Sequence, residues 1–418
     1  MIDTIATLLN IPDVKVLEVE LIGDQVHLHV ESTQSGTRCR NCGKPLTNPC
    51  GHGRERVLRH LPVFGRSTFI HIRPIRFECP HCRETPTTTQ RVSWYEPRSP
   101  HTRAYDDYLL MQLRNSTVAD VEFKEGVGYE AIMGVLERHI AKRVDWKRIT
   151  HLPVVGVDEV ALKKGHRDYV VIVTARFEDR TVLLAVLENR EKATVKRFFA
   201  SIPKRLRKQL RVVCTDMYEG FITAAKEVFS KQVKVVVDRF HVARLYRGAV
   251  DELRKSELKR LKKALPEAEY QQLKGAMWAL RRSLQNRTEE DVRVLRRLFK
   301  HSPLLEAAYY ASGILTDLFN RAVSKRSGRY QIRRWIGLVK GSGLRCFDSF
   351  LKTLDKWMEE ILNYFVDRQT SGFVEGLNNR IKVIKRRCYG IFNISHLFQR
   401  IFLDLGNHHE LPEKAVFV

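Results

Sequence analysis

Apolar and polar residues alternate over residues 15–30, and a Gly23-Asp24 step interrupts the alternation. A period of two is typical of a strand with one buried face, and a glycine step between two such runs predicts a β-hairpin. We therefore predict an N-terminal hairpin region, residues 1–36. Residues 67–77 show a further strand-like pattern.

From residue 103 onward the apolar residues recur at the spacing of an α-helix. Three short helices are predicted within residues 99–150, and a glycine turn, Gly126 to Gly128, precedes the third, residues 129–143. This order predicts a helix-turn-helix DNA-binding domain whose third helix enters the major groove. Many such units have a small residue where this chain has Glu122, four positions before the turn, so an ordinary helical hairpin is the alternative.

After residue 153 the pattern changes to β-branched apolar runs separated by short connections. We predict an antiparallel meander of three strands, residues 154–158, 168–174 and 181–186. Helices and strands then alternate: helix 194–210, strand 211–216, helix 220–229 and strand 233–238. Three strands followed by this alternation is the order of the ribonuclease H-like fold, in which the first and fourth strands lie side by side.

From residue 243 to residue 357 the pattern is almost wholly helical. We therefore predict a multidomain α+β protein whose ribonuclease H-like core, residues 151–242 and 359–418, is interrupted by an all-helical insertion, residues 243–358. Ser324 to Arg329 is the most loop-like stretch of this insertion.

The exposed helix faces of the insertion carry many pairs of lysine and arginine. These pairs either face solvent or contact the DNA backbone. Trp278, Trp335 and Trp357 are candidates for stacking on an unpaired base, with core packing as the alternative for each.

The composition of the chain predicts a binding partner. The 418 residues are 43% hydrophobic, enough for several cores, and the formal net charge is +25. With a sequence pI near 9.9, the chain is expected to bind a polyanion, and double-stranded DNA is the first candidate. No apolar run approaches the length of a membrane span and the N-terminus has no signal-peptide pattern, so a cytoplasmic protein without a membrane partner is expected.

Four of the eight cysteines form two C-x-x-C pairs, Cys39/Cys42 and Cys79/Cys82. In a reducing compartment such pairs are metal ligands rather than disulfides, and two of them complete a tetrahedral Zn²⁺ site. We predict a zinc-binding module, residues 37–98, in which the zinc is structural because four thiolates leave no position open for water. The competing ligands are Cys50, His52 and His81.

Three carboxylates stand in settings that suit a divalent metal ion: Asp158 and Asp216 end apolar runs, and Glu375 opens a helix rich in lysine and arginine. In the predicted strand order the two aspartates meet at one edge of the sheet. Two carboxylates that close repel each other unless a cation neutralises them, and hard, oxygen-seeking Mg²⁺ (or Mn²⁺) meets that need. Asp238 also ends a strand and is the second choice for the second acid. His241 either hydrogen-bonds a carboxylate or phosphate near the site or is a core histidine.

The helix that carries Glu375 has two distinct faces. At helical steps, one face carries Glu375, Asn379, Lys382 and Arg386, and beside it runs an apolar stripe of Val374, Leu377, Ile381 and Ile384. We expect metal at one end of the polar face and DNA along its length. The DNA-binding candidates of the whole chain are Tyr129, Arg138, Arg143, Asn379, Lys382, Lys385, Arg386 and Arg387.

Several motifs together give a specific resemblance. They are Val155 to Glu159 with Lys163 to His166, Thr215 to Tyr218, Val237 to Val242, and Gly372 to Lys382 with Lys385 to Gly390. The chain resembles the DDE transposases of bacterial insertion sequences, and among these the ISL-three family, which also has a four-cysteine zinc module followed by a helix-turn-helix. The resemblance covers nearly the whole chain. It implies a catalytic triad of Asp158, Asp216 and Glu375, with Asp238 and His241 as an accessory signature.

Such an enzyme would bind the terminal inverted repeats of its own element through residues 37–150, cut at the element ends and join the 3′-hydroxyls to target DNA. Two Mg²⁺ ions about 4 Å apart, held by the triad, would serve an in-line displacement at phosphorus without a covalent protein intermediate. The implied partners are element-end DNA, target DNA and a second copy of the chain in the DNA complex. The implied location is the bacterial cytoplasm, in association with the nucleoid.

Two other hypotheses fit the same sequence. A transposase-derived regulator would bind DNA without catalysis and would tolerate loss of the carboxylates. A structure-specific nuclease on the same fold would cut DNA without dedicated recognition of element ends.

Overall fold

A computed structural model describes residues 9, 11–161, 169–177, 181–229, 232–282, 284–368, 372–387 and 393–405. For residues 284, 367, 372–375 and 378 it describes the backbone but not the side chain. The chain divides into two compact units. The first comprises Met1–Lys142, Arg387–Tyr389 and Gln399–Val418, and the second comprises Arg143–Arg386 and Gly390–Phe398.

The first unit begins with a four-stranded sheet. Strands β1 (Val14–Ile22) and β2 (Gln25–Ser32) form the predicted hairpin. Strands β6 (Arg56–Val63) and β7 (Arg66–Ile72) form a second hairpin, and β7 pairs in parallel with β2, so the order is β1-β2-β7-β6. The N-terminal hairpin therefore shares one sheet with strands that lie beyond the first cysteine pair.

One face of this sheet is apolar and buried. Leu28, Leu58, Ile70 and Ile72 lie at its centre and pack with Trp94. The residues that alternate with them, among them His27, His29 and His71, lie on the opposite face, half-buried. This alternation follows from the period-two pattern that predicted the strands.

Two smaller sheets carry the cysteine pairs. Strand β3 (Thr37–Arg38) pairs with β4 (Pro45–Leu46), and a three-stranded sheet is formed by β5 (Pro49–His52), β8 (Ile75–Glu78) and β9 (Thr87–Thr89). Cys39, Leu46, Phe77 and Cys79 form a small buried cluster within this region.

Three helices follow, α1 (Arg103–Leu113), α2 (Val118–Glu125) and α3 (Tyr129–His139). Thr117 caps α2 by accepting from the Asp120 backbone N–H, while Asp120 accepts from that of Thr117. Gly126 ends α2 in the left-handed region (φ 63°), where a side chain would be strained, and this explains the predicted glycine turn. The third helix was predicted to reach residue 143, which is wrong, because the backbone turns extended after His139.

The second unit contains a five-stranded mixed sheet of order β12-β11-β10-β13-β14. Its strands are β10 (Val154–Ala161), β11 (Tyr169–Arg176), β12 (Thr181–Leu187), β13 (Val212–Thr215) and β14 (Lys234–Val237). The first three form the predicted antiparallel meander, and β13 pairs in parallel with both β10 and β14. The first and fourth strands of the unit are therefore neighbours, as their order predicted.

Helices α4 (Lys192–Ser201), α5 (Lys204–Arg207) and α6 (Glu219–Phe229) connect these strands. One continuous helix over residues 194–210 was predicted, and this is wrong at Pro203. Proline has no N–H to donate and disfavours the helical conformation of the residue before it. Ile202 is accordingly extended (φ −62°, ψ 126°), and the helix ends at Ser201.

The region after β14 is almost wholly helical, as its pattern predicted. Its helices are α7 (Arg239–Ala264), α8 (Glu267–Gln271), α9 (Ala276–Arg281), α10 (Glu289–His301), α11 (Pro303–Asn320), α12 (Lys325–Gly341), α13 (Asp348–Leu362) and α14 (Tyr364–Asp367). These helices pack on the five-stranded sheet in one continuous core. Within the described part of the chain, no helix is both long and apolar enough to cross a bilayer.

The stretch Ser324 to Arg329 was predicted to be a loop, but it forms the start of α12. Ser324 caps the helix by accepting from the backbone N–H of Ser327. A Cβ added at Gly328 would lie 2.7 Å from the Phe365 ring, so this glycine permits close packing rather than a turn.

The three tryptophans differ in environment. Trp335 is buried and donates from Nε1 to the carbonyl of Ala311 (2.7 Å), which supports core packing. Trp357 lies beneath the ammonium groups of Lys226 and Lys356. Trp278 is 59% exposed, so base stacking stays a prediction for that residue.

Two further helices are α15 (Gly372–Arg387) and α16 (Ile394–Asp404). Leu377, Ile381 and Ile384 of α15 are buried, which confirms the predicted apolar stripe at these three positions. The end of α16, from Gln399, belongs to the first unit.

The end of α16 completes the core around α1, α2 and α3. Leu403 packs among their buried side chains. Gln399 donates to the carbonyls of Leu136 and Ile140, and Arg400 donates to those of Leu113 and Ser116. Leu113, Leu136 and Ile140 lie at the C-terminal ends of their helices, where the helix dipole favours a cation such as Arg400.

Candidate active site and zinc centre

Three aspartates occupy one row across three parallel strands. The strand register pairs Val157 with Thr215, and Thr215 with Val237. The next residues along these strands are Asp158, Asp216 and Asp238. Since paired strands lie about 4.8 Å apart, Asp216 is the direct neighbour of both other acids. The structure thus brings together the two strand-end acids that the sequence placed at one edge.

The environment of the row disfavours ionised carboxylates. The pKa of Asp158 is raised to about 6, mainly by burial and also by Asp216 and Asp238, against the lowering effect of the Glu159 N–H and His241. Burial likewise raises the pKa of Asp216, against a hydrogen bond from the Tyr218 N–H and the charge of His241. A cation that kept these acids ionised would satisfy the site, and their oxygen ligands suit Mg²⁺.

Asp238 has a second task within the row. It is almost fully buried and is the N-cap of α7, where its Oδ1 accepts from the Phe240 N–H (3.0 Å). Its own N–H donates to the carbonyl of Thr215, which continues the sheet ladder. Because β10 pairs with β13 and not with β14, Asp216 rather than Asp238 is the direct neighbour of Asp158.

Glu375 lies on α15, but its side chain lies outside the described part of the structure. The helix itself is attached to the strand of Asp158, because the Lys385 ammonium donates to the carbonyl of Ala161 (2.6 Å) at the end of β10. Burial lowers the pKa of Lys385. The motif residues Lys163 to His166 and Cys388 to Gly390 lie outside the described residues.

Arg190 is a site residue that sequence reasoning missed. It follows β12, donates to Glu159 Oε2 (3.1 Å) and lies over the rings of Tyr169 and Tyr218 at 4.8 and 5.1 Å. Its charge lowers the pKa of Asp216, which places it beside the aspartate row. The available signal was weak, because one arginine after a strand is unremarkable in so basic a chain.

The four cysteines of the two C-x-x-C pairs come together as predicted. Their Sγ atoms are 3.9 Å apart for Cys39 and Cys82, 3.7 Å for Cys42 and Cys79, and 3.7 Å for Cys79 and Cys82. Four sulfurs at the usual Zn–S distance form a tetrahedron with edges of about 3.8 Å, so the cluster fits zinc. The competing ligands Cys50, His52 and His81 are not part of this cluster.

The sulfurs also need a cation on electrostatic grounds. Desolvation, together with the neighbouring thiols, raises the pKa of Cys82 to about 12. The backbone N–H groups of Cys42 and Asn41 lower the pKa of Cys39 to about 6. Four thiolates this close are stable when Zn²⁺ neutralises them.

The predicted DNA-binding residues fall into two groups. Tyr129, Arg143, Asn379, Lys382 and Arg386 are exposed. The side chains of Arg138, Lys385 and Arg387 have partners within the chain.

Arg138 donates to both oxygens of Asp106, which also bonds His101 and His139. Asp106 is nearly fully buried, and these three partners hold its pKa far below its usual range against the effect of burial. Arg138 therefore neutralises a buried charge that sequence alone did not reveal.

Comparison with known families agrees with this arrangement. Residues 155–401 match the family model of ISL3 (ISL-three) transposases. Residues 35–82 match the zinc finger of the transposases IS204/IS1001/IS1096/IS1165. The chain belongs to the ISL3 transposase family, and the resemblance seen in the sequence is confirmed.

Individual relatives match along most of the chain. The transposase for insertion sequence element IS1001 of Bordetella parapertussis is 25% identical over 389 residues, 91% of each chain. The transposase for insertion sequence element IS1557 of Mycobacterium tuberculosis is 23% identical over 393 residues, 89% of this chain and 86% of that one.

Proposed function

We propose that this chain is an active DDE transposase with a ribonuclease H-like catalytic core. It binds the terminal inverted repeats of its insertion sequence, cleaves the ends and transfers the 3′-hydroxyl strands to target DNA. The observation that carries the proposal is the row of Asp158 and Asp216 on neighbouring strands of a sheet with the order β12-β11-β10-β13-β14.

Asp158, Asp216 and Glu375 would hold the metal, and the buried surroundings of the two aspartates fit it. Two Mg²⁺ or Mn²⁺ ions bound there would supply the activation of water or a 3′-hydroxyl and the stabilisation of the leaving oxygen. His241 lies beside the two aspartates and lowers the pKa of both. Arg190, held between two tyrosine rings, offers guanidinium N–H groups to a phosphate near the same acids.

DNA recognition is assigned to residues 37–150, with α3 as the helix that enters the major groove and Tyr129 at its exposed start. Asn379, Lys382 and Arg386 form an exposed polar face of α15 that contacts the DNA backbone near the cut. The net charge of +25 supplies the sequence-independent part of the affinity. A homodimer would bring two element ends together.

Incubation of labelled element-end DNA with protein and Mg²⁺ tests the proposal. Asp158→Asn, Asp216→Asn and Glu375→Gln should each abolish strand cleavage while leaving end binding almost unchanged, because each removes a metal ligand and no recognition contact. Asp355→Asn is a matched control, since Asp355 is exposed on α13, and it should cleave like the wild type.

Full cleavage by any of the three variants would refute the triad. Loss of cleavage in Asp238→Asn but not in Asp216→Asn would make Asp238 the second acid. A wild-type chain that binds ends without cutting them would be a regulator, and one that cuts unrelated duplexes equally well would be a nuclease.

A further inference from the structure

Two histidines and a glutamate gather on the outer face of the first sheet, outside the cysteine cluster and the aspartate row. The register places His29 of β2 directly opposite His71 of β7, and their rings stack at 4.5 Å. The Oε1 atom of Glu55, which precedes β6, lies 3.8 Å from Nδ1 of His71. One ligand atom from each of the three lies within 4.8 Å of the others. Within the part of the chain that the structure describes, two groups of potential metal ligands lie this close together, namely this one and the cysteine cluster.

A chain of hydrogen bonds runs from Gln25 through His27 to His71, and the following proton assignment satisfies it. The Gln25 side-chain oxygen lies 3.2 Å from Nε2 of His27 and accepts its proton, which leaves Nδ1 of His27 as an acceptor. That Nδ1 lies 2.9 Å from Nε2 of His71, so Nε2 carries the His71 proton and donates it. The Nδ1 atom of His71 is then a bare lone pair that faces the carboxylate of Glu55.

Two acceptors that face each other need a cation between them. Burial and the neighbouring His29 and His27 lower the pKa of His71, and the neutral imidazole is the form that ligates a metal. His27 holds the other nitrogen of this ring, which is the second interaction that metal-binding histidines usually make.

The types of ligand atom determine which metal ion suits this site. Two imidazoles and one carboxylate suit Zn²⁺ and similar divalent transition ions, whereas Mg²⁺ prefers oxygen ligands alone. Tetrahedral zinc ligands of this type lie about 3.4 Å apart, so the observed 3.8 Å needs only a small shift of Glu55, which is partly exposed. Glu20 lies 3.6 Å from Nε2 of His29 and adds negative charge beside the group.

We propose that His29, Glu55 and His71 form a second metal site, for Zn²⁺ or a similar divalent transition ion, with His27 as its orienting partner. Three protein ligands leave a coordination position open to solvent, unlike the closed site of four cysteines. Its ligands come from β2, from β7 and from the residue before β6, so the bound ion ties the first hairpin to the second.

Titration of the full chain, without an affinity tag and with one zinc retained in the cysteines, tests the proposal with Co²⁺ and Zn²⁺. The wild type should bind one further equivalent. With Co²⁺ this equivalent should give visible absorption without thiolate charge-transfer bands, because no sulfur is among its ligands.

His29→Gln and His71→Gln should lose this equivalent, and His27→Gln should weaken it by about 10- to 100-fold. His52→Gln is the matched control, because His52 is an exposed histidine on β5, and it should bind like the wild type. Each variant should keep its cysteine-bound zinc, which shows that the chain is folded. A wild type that binds a single zinc, or a His71→Gln variant that keeps the second at unchanged affinity, would overturn the proposal.

Discussion

His60 lies on the buried face of the first sheet and is held neutral by its surroundings. Burial lowers its pKa from 6.5 to about 4. The Thr102 hydroxyl accepts from the Tyr105 N–H and lies 2.9 Å from Nδ1 of His60. His60 thus joins strand β6 to the cap of helix α1.

This predicts a loss of stability in mild acid. Below pH 6.5 the unfolded chain binds a proton at this histidine and the folded chain does not, so unfolding becomes easier as the pH falls towards 4. The difference amounts to about 3 kcal/mol. In urea unfolding of the first unit at several pH values, His60→Gln should remove this part of the pH dependence, whereas His52→Gln should keep it. An unchanged pH dependence in His60→Gln would contradict the prediction.

At the residue scale, the sequence predicted the zinc ligands better than it predicted the roles of charged residues. The four cysteines were recognisable because their spacing alone specifies the chemistry. Arg138 was placed with the DNA-binding residues, but its partner Asp106 lies 32 positions earlier. A buried carboxylate needs compensating charge wherever the fold supplies it, and local pattern does not show where that is.

Among the elements, helix α15 combines two lysines with different tasks. Lys385 is half-buried and bonded to the end of β10, whereas Lys382 is exposed. The first positions the helix that carries Glu375, and the second is available to DNA.

The two alanine variants should therefore fail in different ways. Lys385→Ala should slow cleavage at saturating DNA by about 100-fold, because displacement of a catalytic group by about 1 Å costs that much. Lys382→Ala should cleave normally at saturation but bind more weakly, with the slope of log affinity against log salt reduced by about 1. Single-turnover cleavage and salt-dependent binding measure the two effects. Identical behaviour of the variants would contradict the assignment.

Most strands and helices were predicted from the local pattern, because the apolar residues that recur periodically in the sequence are the ones that one face of each element buries. Strand order then predicted that Asp158 and Asp216 are neighbours. The helix broken at Pro203 and the helix that Ser324 caps were mispredicted for opposite reasons. In the first case the apolar periodicity predicted a continuous helix although a proline interrupts it. In the second case the Ser-Gly composition predicted a loop, whereas the serine caps a helix and the glycine packs against Phe365.

For the whole molecule, the first unit is discontinuous in sequence. Gln399 bonds the carbonyl of Leu136 across 263 positions, and Leu403 is fully buried with α1 to α3. No local sequence pattern predicts a contact between residues so far apart in sequence, because the whole of the second unit lies between most of the first unit and residues 399–404.

Leu403→Ala should therefore destabilise the helical domain of residues 103–140, although it lies in the last described helix. The expected loss is about 2–5 kcal/mol, as for other buried leucines. Hydrogen exchange within α1 to α3 measures it. Met111→Ala, at an exposed position of α1, should change stability by less than about 0.5 kcal/mol, and protection unaltered by Leu403→Ala would refute this packing role.

Because the first unit is discontinuous in sequence, its core is completed late during synthesis. Residues 103–140 leave the ribosome long before residues 399–404 exist, so the helical domain waits for its last core residues until α15 has also been made. A chain that stops early would carry complete zinc knuckles beside an unfinished helical domain. Under the proposed function, such a fragment would be a poor competitor for element ends, because the DNA-binding domain would be completed only in chains that already contain Asp158, Asp216 and Glu375.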